Sequence, residues 1–258
     1  PTATAATSVS ATGFTANWSA VAGATGYQLN VYTKTGTNAT DLIISEYVEG
    51  DNNNKYLEIY NGTGSDVDLS NYQLLLFANG ASSPTTTVNL SGTLLAGKTI
   101  VYKNAQAALT LPAGVTAITN AAINFNGDDA IALKKKSPEA YVDIFGRIGE
   151  DPGTAWTAEG GFTTLDKTLR RKSSVTAGVS TNPTSGFPTL DEEWEVYDKN
   201  TVSGLGSHSL DSYTTTAITG SPFTVTNDTS KVISGLTTNT TYYYTVKATD
   251  GSNTSASS

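Results

Sequence analysis

Residues 14–32, FTANWSAVAGATGYQLNVY, contain two stretches in which apolar and polar residues alternate. Phe14, Ala16 and Trp18 share one face of the first stretch, and residues 27–31 alternate in the same way. A period of two predicts β-strands with one buried face, and the Gly-rich segment between the two stretches predicts a turn. This part of the chain therefore begins a β-sandwich.

The same alternation returns near the other end of the chain, in residues 223–225, 232–236 and 242–248. Neither end is long enough to bury a core alone. We therefore predict one domain in two halves, residues 1–38 and 212–258, with residues 39–211 inserted between them. Junctions rich in Thr, Ser and Gly are typical of domain boundaries. This arrangement predicts that Lys34 and Tyr213 lie close together.

The inserted segment also has the pattern of a β protein. Short apolar or alternating runs are separated by turn residues; they comprise residues 41–49, 55–61, 72–77, 94–102, 129–133 and 140–146. Only residues 104–109 suggest a helical turn. The predicted fold class is thus all-β, with two immunoglobulin-like β-sandwich domains, one inserted into the other.

Composition limits the classes of function. The chain has 258 residues, no cysteine and a net charge of −8. Residues 39–211 contain 12 Lys/Arg and 21 Asp/Glu, so the insert carries −9, which disfavours the approach of polyanions. The absence of cysteine excludes disulfides and thiol nucleophiles. No apolar run reaches the length of a membrane span, so no membrane insertion is expected. Because methionine is also absent, we interpret the chain as part of a longer precursor.

The two terminal halves resemble a fibronectin type III domain. The resemblance rests on the stretch from Trp18 to Tyr27 and on the Gly-Leu and Tyr-x-Tyr-x-Val-x-Ala stretches that end at residue 248. It implies that Trp18 is the core tryptophan of the second strand. It also implies that Tyr242 forms a tyrosine corner, with its hydroxyl bonded to backbone near Leu236.

The insert resembles a lamin tail domain of the type found in secreted bacterial proteins. Eight ordered stretches carry this resemblance: IISEYVEG (43–50), KYLEIYNGTG (55–64), VDLSNYQL (67–74), FNGDDAIAL (125–133), VDIFGRIG (142–149), TLRRK (168–172), EWEVY (193–197) and GLGSH (204–208). The resemblance implies an immunoglobulin-like sandwich. Such domains accompany catalytic domains in extracellular nucleases, and the related domain of eukaryotic lamins docks proteins and DNA. It implies no catalytic residues.

The residues themselves offer little for catalysis. His208 is the only histidine, so a metal site with two histidines is impossible within this chain. Gly206-Ser-His208 is not the Gly-x-Ser-x-Gly elbow of a serine hydrolase. We therefore expect no enzyme activity and no cofactor.

Calcium is an alternative that the acidic residues leave open, because hard carboxylate oxygens suit Ca²⁺. Five carboxylates at strand ends or alternate strand positions could line one end of the insert: Glu46, Glu58, Asp128, Asp129 and Asp143. A simpler interpretation makes Asn126-Gly127-Asp128 a hairpin turn, with positive φ at Asn-Gly.

Two basic clusters are candidates for phosphate contacts; they consist of Lys134, Lys135, Lys136, Arg170, Arg171 and Lys172. Tyr and Trp side chains nearby could stack bases, or sugars if the ligand is a glycan. The alternative is that these cations are solvated or protect the edge of a sheet.

These observations favour a non-catalytic binding or accessory region of an exported bacterial surface or secreted protein, located outside the cell or on its surface. Two alternatives remain: a DNA-holding region of a secreted nuclease, and an adhesin module that binds carbohydrate or cell wall. The partner is left open among nucleic acid, glycan and another protein.

Overall fold

A computed structural model describes residues 1–36, 38–211, 214–251 and 253–258. The chain divides into two compact units. Residues 1–36 and 213–258 form the first unit, and residues 37–212 form the second. Tyr213 lies outside the described residues, as does its expected approach to Lys34. Within the described part, no helix has both the length and the apolar character needed to cross a bilayer.

The strands of the first unit before the insertion are β1 (Ala3–Ser10), β2 (Gly13–Trp18) and β3 (Gly26–Thr35). The second unit contains β4 (Ile43–Glu49), β5 (Lys55–Tyr60), β6 (Val67–Asp68), β7 (Tyr72–Phe77), β8 (Thr86–Asn89), β9 (Thr93–Leu94), β10 (Thr99–Lys103), β11 (Ala117–Thr119), β12 (Ala130–Lys136), β13 (Glu139–Phe145), β14 (Thr157–Ala158), β15 (Phe162–Thr163), β16 (Lys167–Arg171), the one-turn helix α1 (Leu190–Glu193) and β17 (Trp194–Asp198). Short 3-10 turns occur at Leu69–Asn71, Ala78–Gly80 and Glu159–Gly161. The first unit resumes with β18 (Thr214–Ala217), β19 (Phe223–Val225), β20 (Ser230–Ser234) and β21 (Tyr242–Thr249).

The first unit is a small sandwich of two antiparallel sheets. One sheet has the strand order β1-β2-β20. In the other, β3 is central and pairs with β21 along one edge and with β18 and β19 along the other. The alternating residues of β2, β3 and β21 form the core between the sheets, as their pattern indicates. Every long-range pairing of β3 thus joins the two ends of the chain.

The residues singled out in the first unit have structural roles. Trp18 is buried, and its ring lies 5.6 Å from that of Tyr27. The hydroxyl of Tyr242 accepts a hydrogen bond of 3.0 Å from the Thr237 amide. Leu236, the preceding residue, packs against the core. These contacts tie the turn before β21 to the strand itself.

The second unit is a larger sandwich. Its six-stranded sheet has the order β11-β10-β5-β4-β16-β17, and its four-stranded sheet has the order β13-β12-β7-β8. The main core lies between the sheets and contains Tyr47, Phe125, Phe145 and Trp194, among other buried residues. Tyr47 stacks on Phe125 and Phe145 at centroid distances of 4.6 and 4.4 Å. Both units thus have the predicted all-β, immunoglobulin-like architecture.

Three local expectations were wrong. Residues 94–102 form two strands, β9 and β10, because Gly97 turns the chain between them with a φ of +70°. Residues 104–109 are not helical; the only α-helix among the described residues is α1. Asn126-Gly127-Asp128 does not close a hairpin, since neither Asn126 nor Gly127 has a positive φ and the adjoining strands β11 and β12 belong to different sheets.

The outer face of the six-stranded sheet is also buried. Val48, Tyr56 and Val101 on this face pack with Ala107 and Leu205, which come from the connections around residues 104–117 and 202–205. This second layer explains why every residue of β4 and β5 is buried. Polar side chains of β4 and β5 on the outer face are therefore removed from water as well.

The carboxylate of Asp143 connects the two sheets of the second unit. Asp143 lies on β13 of the four-stranded sheet and is fully buried. It accepts hydrogen bonds from the Ile44 amide of β4 at 2.8 Å, from the Val179 amide at 2.9 Å, and from Nη2 of Arg171 on β16 at 2.9 Å. Because β16 pairs with β4 only from Glu46 onward, the Ile44 amide is left for Asp143. The Asp143 carboxylate therefore ties β13 to three other segments: β4, β16 and the chain at Val179.

We predict that Asp143→Asn destabilises the second unit by about 3–5 kcal/mol, because it leaves the guanidinium of Arg171 buried without a full counter-charge. Urea unfolding gives the free energy of unfolding. Asp198→Asn is the matched control, since Asp198 pairs with Lys167 at 3.4 Å but its side chain is 96% exposed. The control should change stability by less than about 1 kcal/mol. Equal effects of the two substitutions would contradict the role given to Asp143.

Candidate functional site

A row of charged side chains crosses the outer face of the six-stranded sheet. Glu58 on β5 lies opposite Glu46 on β4, Glu46 lies opposite Arg170 on β16, and Arg170 lies opposite Glu195 on β17. Directly opposed residues of neighbouring strands point to the same face, so these four side chains form one continuous line. The row contains three carboxylates and one guanidinium, and the guanidinium pairs with Glu46.

Glu46 is the most perturbed member of the row. Its side chain is 2% exposed, and its Oε2 accepts a hydrogen bond of 3.1 Å from Nε of Arg170. Among the described residues, none donates to its Oε1. Burial raises the pKa of Glu46 to about 8; the charge of Arg170 opposes this shift, and the neighbouring Glu58 adds to it. Burial outweighs the ion pair here because the loss of hydration exceeds the attraction of a partly exposed arginine.

Glu58 is held more completely. Its carboxylate accepts hydrogen bonds from the Ser45 hydroxyl at 2.6 Å and from the Gly206 amide. Burial raises its pKa, although these hydrogen bonds act in the opposite direction. Glu58 therefore supports the strand and the loop above it, and its oxygens are not available to a ligand.

The Gly204–His208 segment covers the two glutamates. Leu205 anchors it in the apolar cluster of the outer face. A Cβ atom at Gly204 would lie 2.2 Å from Nε of Arg170 and 2.3 Å from Oε2 of Glu46, so only glycine allows the backbone to cross the ion pair. Gly206 adopts a φ of +96°, which directs its amide to Glu58. Each residue of Gly204-Leu205-Gly206 therefore has a structural role: Gly204 lets the backbone pass over the ion pair, Leu205 anchors the segment, and Gly206 bonds to Glu58.

His208 closes one side of this region. Its ring contacts that of Tyr60 edge to face at 4.9 Å. Burial, together with the charge of Arg171 and against that of Asp211, lowers its pKa to about 4. The imidazole is therefore neutral at pH 7, and its Nε2 has no hydrogen-bond partner among the described residues. Since no described carboxylate is hydrogen-bonded to it, this neutral, partly buried histidine lacks the arrangement of a catalytic triad.

A polar cleft of about 200 Å³ opens beside this row. Its lining includes Glu46, Arg170, Glu195 and His208, together with the serines at positions 45, 173, 207 and 209. Arg170 stacks on the ring of Tyr197 at 4.2 Å, which fixes the guanidinium over the sheet. Glu46 belongs to the lining of this cleft, although its Oε1 is itself buried. We take it as the candidate binding site.

The five acidic residues considered for calcium do not form one site. Glu46 and Glu58 lie in the row, whereas Asp143 is bound to Arg171. Asp129 accepts hydrogen bonds from the amides of Asn79 and Asn126, both at 2.9 Å. Asp128 lies beside it, and burial raises its pKa. Within the described ranges, no three Asp, Glu or His side chains are placed to hold a metal ion together. The geometry gives the calcium alternative no support.

The six basic residues considered for nucleic acid are also divided. Lys134, Lys135 and Lys136 lie on β12 of the four-stranded sheet, while Arg170 and Arg171 lie on β16 of the six-stranded sheet. The expectation that Arg171 could contact phosphate is wrong, since its side chain is fully buried against Asp143 and Trp194.

Most of the other cations have partners as well. Lys134 pairs with Glu139, and Lys135 pairs with Asp41 at 2.7 Å. Nζ of Lys172 donates to the Asp191 and Glu192 carbonyls near the end of α1. The run Arg-Arg-Lys is therefore mainly a structural element, and the sequence could not show this because the partners lie on other strands.

A second concave surface lies on the first unit. This groove of about 280 Å³ is lined by Val9, Phe14, Leu236, Tyr242 and Tyr244, with small residues between them. The hydroxyl of Tyr244 bonds to the Thr4 carbonyl, and that of Tyr242 to the Thr237 amide. The groove therefore offers an apolar surface without a free charged group. All three tryptophans of the chain are buried, so none provides a stacking platform for sugars.

We predict that Gly204→Ala destabilises the second unit by about 1–3 kcal/mol, because the new methyl group overlaps the Arg170–Glu46 pair. Urea unfolding measures the loss. In an Arg170→Ala background the same glycine substitution should cost less, because one of the two overlapped groups is absent. An unchanged cost in that background would show that the clash lies elsewhere.

We predict that the protein loses stability between pH 6.5 and 8.5 through Glu46. Because the folded pKa is raised, the protonated form favours folding; this contribution is full below pH 4.5 and disappears as the pH passes about 8. The loss over this window should be roughly 1–2 kcal/mol. His208 does not interfere, since its lowered pKa affects stability only below about pH 6.5.

Urea unfolding at the two pH values measures this effect. In Glu46→Gln, the free energy of unfolding should decrease between the two pH values by roughly 1–2 kcal/mol less than in the wild type. In the control Glu159→Gln, the decrease should equal that of the wild type. Glu159 is exposed and lies outside the cleft. The interpretation fails if the Glu46 variant keeps the whole pH dependence.

Comparison with known proteins finds a family match for part of the chain. No curated protein matches the chain. The family model of the lamin tail domain matches residues 35–149, which include Glu46 and Glu58 but end before Arg170, Glu195 and His208. The row and its cleft are therefore completed by strands and a loop that the match does not cover. Residues 35–149 are thus similar to the lamin tail domain, a family with an immunoglobulin-like fold.

Proposed function

We propose that this chain is a non-catalytic binding region of an exported bacterial protein, and that the cleft beside Glu46 is where it contacts its partner. The lamin tail domain is a non-catalytic immunoglobulin-like module, which is compatible with an accessory binding role. The exported setting is part of the proposal and rests on the resemblance of the insert to domains of secreted bacterial proteins.

One observation carries the proposal. The cleft combines an open polar surface with a carboxylate oxygen, Oε1 of Glu46, that is buried and without a donor among the described residues. Leaving such an atom unpaired costs free energy, which sets Glu46 apart from the carboxylates whose oxygens are bonded within the fold. Asp143 and Glu58, in contrast, already bond to neighbouring strands or loops.

The groups around the cleft do not suit catalysis. General acid–base chemistry requires an acid and a base that can both reach a substrate, with pKa values near the working pH. Glu46 has a pKa of about 8, but its carboxylate is buried and paired with Arg170. His208 is neutral at pH 7 and remains so down to about pH 4, and Glu58 is held under the Gly204–His208 segment. The geometry therefore favours recognition without turnover.

The DNA-holding alternative receives less support from the charges. The insert carries −9, and Lys134, Lys135, Arg170 and Arg171 each form an ion pair with a carboxylate. A phosphate would have to displace these partners before it gained a contact, and the surrounding acidic groups would oppose its approach.

We predict that the chain neither cleaves DNA or glycans nor binds double-stranded DNA at about 50 mM salt. Fluorescence anisotropy with labelled DNA and product analysis after incubation provide the two measurements. Turnover by the purified chain would overturn the proposal. Salt-dependent DNA binding that weakens in a Lys136→Ala, Lys172→Ala double variant would favour the DNA-holding function instead.

A further inference from the structure

One edge of β21 in the first unit is covered only in part. The inner edge of β21 pairs with β3 over the whole length of the strand. On the outer edge, the Val246 amide donates to Oγ of Ser258 at 3.0 Å, and the Val246 carbonyl accepts from the Ser258 amide at 3.1 Å. Ala248 forms the same two hydrogen bonds with Ser255, at 3.0 and 2.9 Å. Residues 253–258 therefore lie along this half of the edge, so the edge already binds an extended polypeptide segment.

The other half of the outer edge is open. Main-chain groups along a strand point alternately to its two edges, so the amides and carbonyls of Tyr242 and Tyr244 face the same way as those of Val246. β21 pairs with no strand other than β3, and these groups form no hydrogen bond within the described part of the chain. Tyr242 and Tyr244 thus present unused main-chain donors and acceptors beside the covered half.

The apolar groove of about 280 Å³ adjoins this open half. Tyr242 and Tyr244 belong to its lining, together with Phe14 and Leu236 of the core and Val9 of β1. None of the described residues that line it carries a charge. Val9 is 73% exposed although it is apolar. The interior of the sandwich therefore reaches the surface at the point where the edge of β21 is open.

An added β-strand would satisfy both features at once. Opposed residues of neighbouring strands point to the same face, so residues paired with Tyr242 and Tyr244 would face the groove, as these two tyrosines do. The residue between them would face away from the sandwich. The edge thus calls for a main chain with free amides, and the groove calls for apolar side chains at every second position.

We propose that the open half of the β21 edge binds an extended segment of a partner polypeptide, which adds a strand to the sheet and places alternate apolar side chains in the groove. In this mode of recognition, main-chain hydrogen bonds supply affinity and the pockets for alternate side chains supply specificity. The bound segment continues the line that residues 253–258 begin along the same edge. The inference concerns the first unit and is independent of the function proposed for the cleft beside Glu46.

Amide hydrogen exchange of the full chain, labelled with ¹⁵N, tests whether the edge is open. The Thr245 amide faces β3 and should exchange slowly, whereas the Tyr244 amide should exchange at least about tenfold faster. Equally slow exchange at Tyr244 would show that the edge is already covered and would overturn the inference.

The same sample is then titrated with the peptide Ser-Val-Thr-Val-Ser, acetylated and amidated at its ends. We expect binding in the millimolar range, slower exchange at Tyr244, and NMR shifts at the groove and the open edge. The peptide with both valine nitrogens methylated keeps the side chains but loses the donors, so it should bind at least about tenfold more weakly. A peptide with serine in place of both valines should also bind at least about tenfold more weakly, because it buries less apolar surface.

Two exposed valines provide a matched pair of variants. Val9 lines the groove and Val232 lies on β20 outside it, and their exposed fractions are 73% and 71%. Val9→Asp should weaken binding of the valine peptide about tenfold, because it places a charge in an apolar site. Val232→Asp should change the affinity less than about twofold. If Val9→Asp does not fold, which urea unfolding reveals, the methylated peptide still tests the inference.

Three results of the titrations would overturn the inference: no binding of the valine peptide in the millimolar range, equal binding of the methylated peptide, or equal effects of the two valine substitutions. Sedimentation equilibrium tests a second copy of the chain as the occupant. A dimer that forms as the concentration rises, and that Val9→Asp dissociates but Val232→Asp does not, would assign the edge to self-association and would overturn the inference as well.

Discussion

The buried contact between Asp143 and Arg171 is the constraint on which the second unit depends. Asp143 comes from one sheet, while Arg171 and the Ile44 amide come from the other. Two opposite charges in the core cost much hydration, and the cost is offset only if each hydrogen-bonding position is well used. Arg171 also fixes β16, and β16 places Arg170 beside Glu46. The charged row on the outer face thus follows from an ion pair on the inner one.

The row itself shows how burial and pairing compete. Arg170 is partly exposed and stabilises the Glu46 charge only in part, while the Gly204–His208 segment removes water from the carboxylate. The raised pKa of Glu46 is the net result.

Much of the fold could be predicted from the sequence. The alternation at Trp18 and in β3 indicated the first sandwich, and the short apolar or alternating runs of the insert, β7 among them, indicated the second. The site was predicted less well. Glu46 and Glu58 were named for calcium, whereas the structure places them in one row under a loop. Arg171 was named for phosphate, yet it is buried. The sequence shows which residue types are present, but it does not show which of them pair when the partners are more than a hundred residues apart, as Glu46 and Arg170 are.

The sequence by itself determined the all-β class, the identity of the buried strand faces and the acidic charge of the insert, because side-chain periodicity and charge are local properties. Only the tertiary structure decided which carboxylates are satisfied and which oxygen remains free. That outcome depends on register between strands that are distant in the chain and on a glycine at position 204 that lets the backbone pass over an ion pair. Desolvation acts through three-dimensional surroundings, and for that reason the perturbed glutamate could be recognised only in the folded protein.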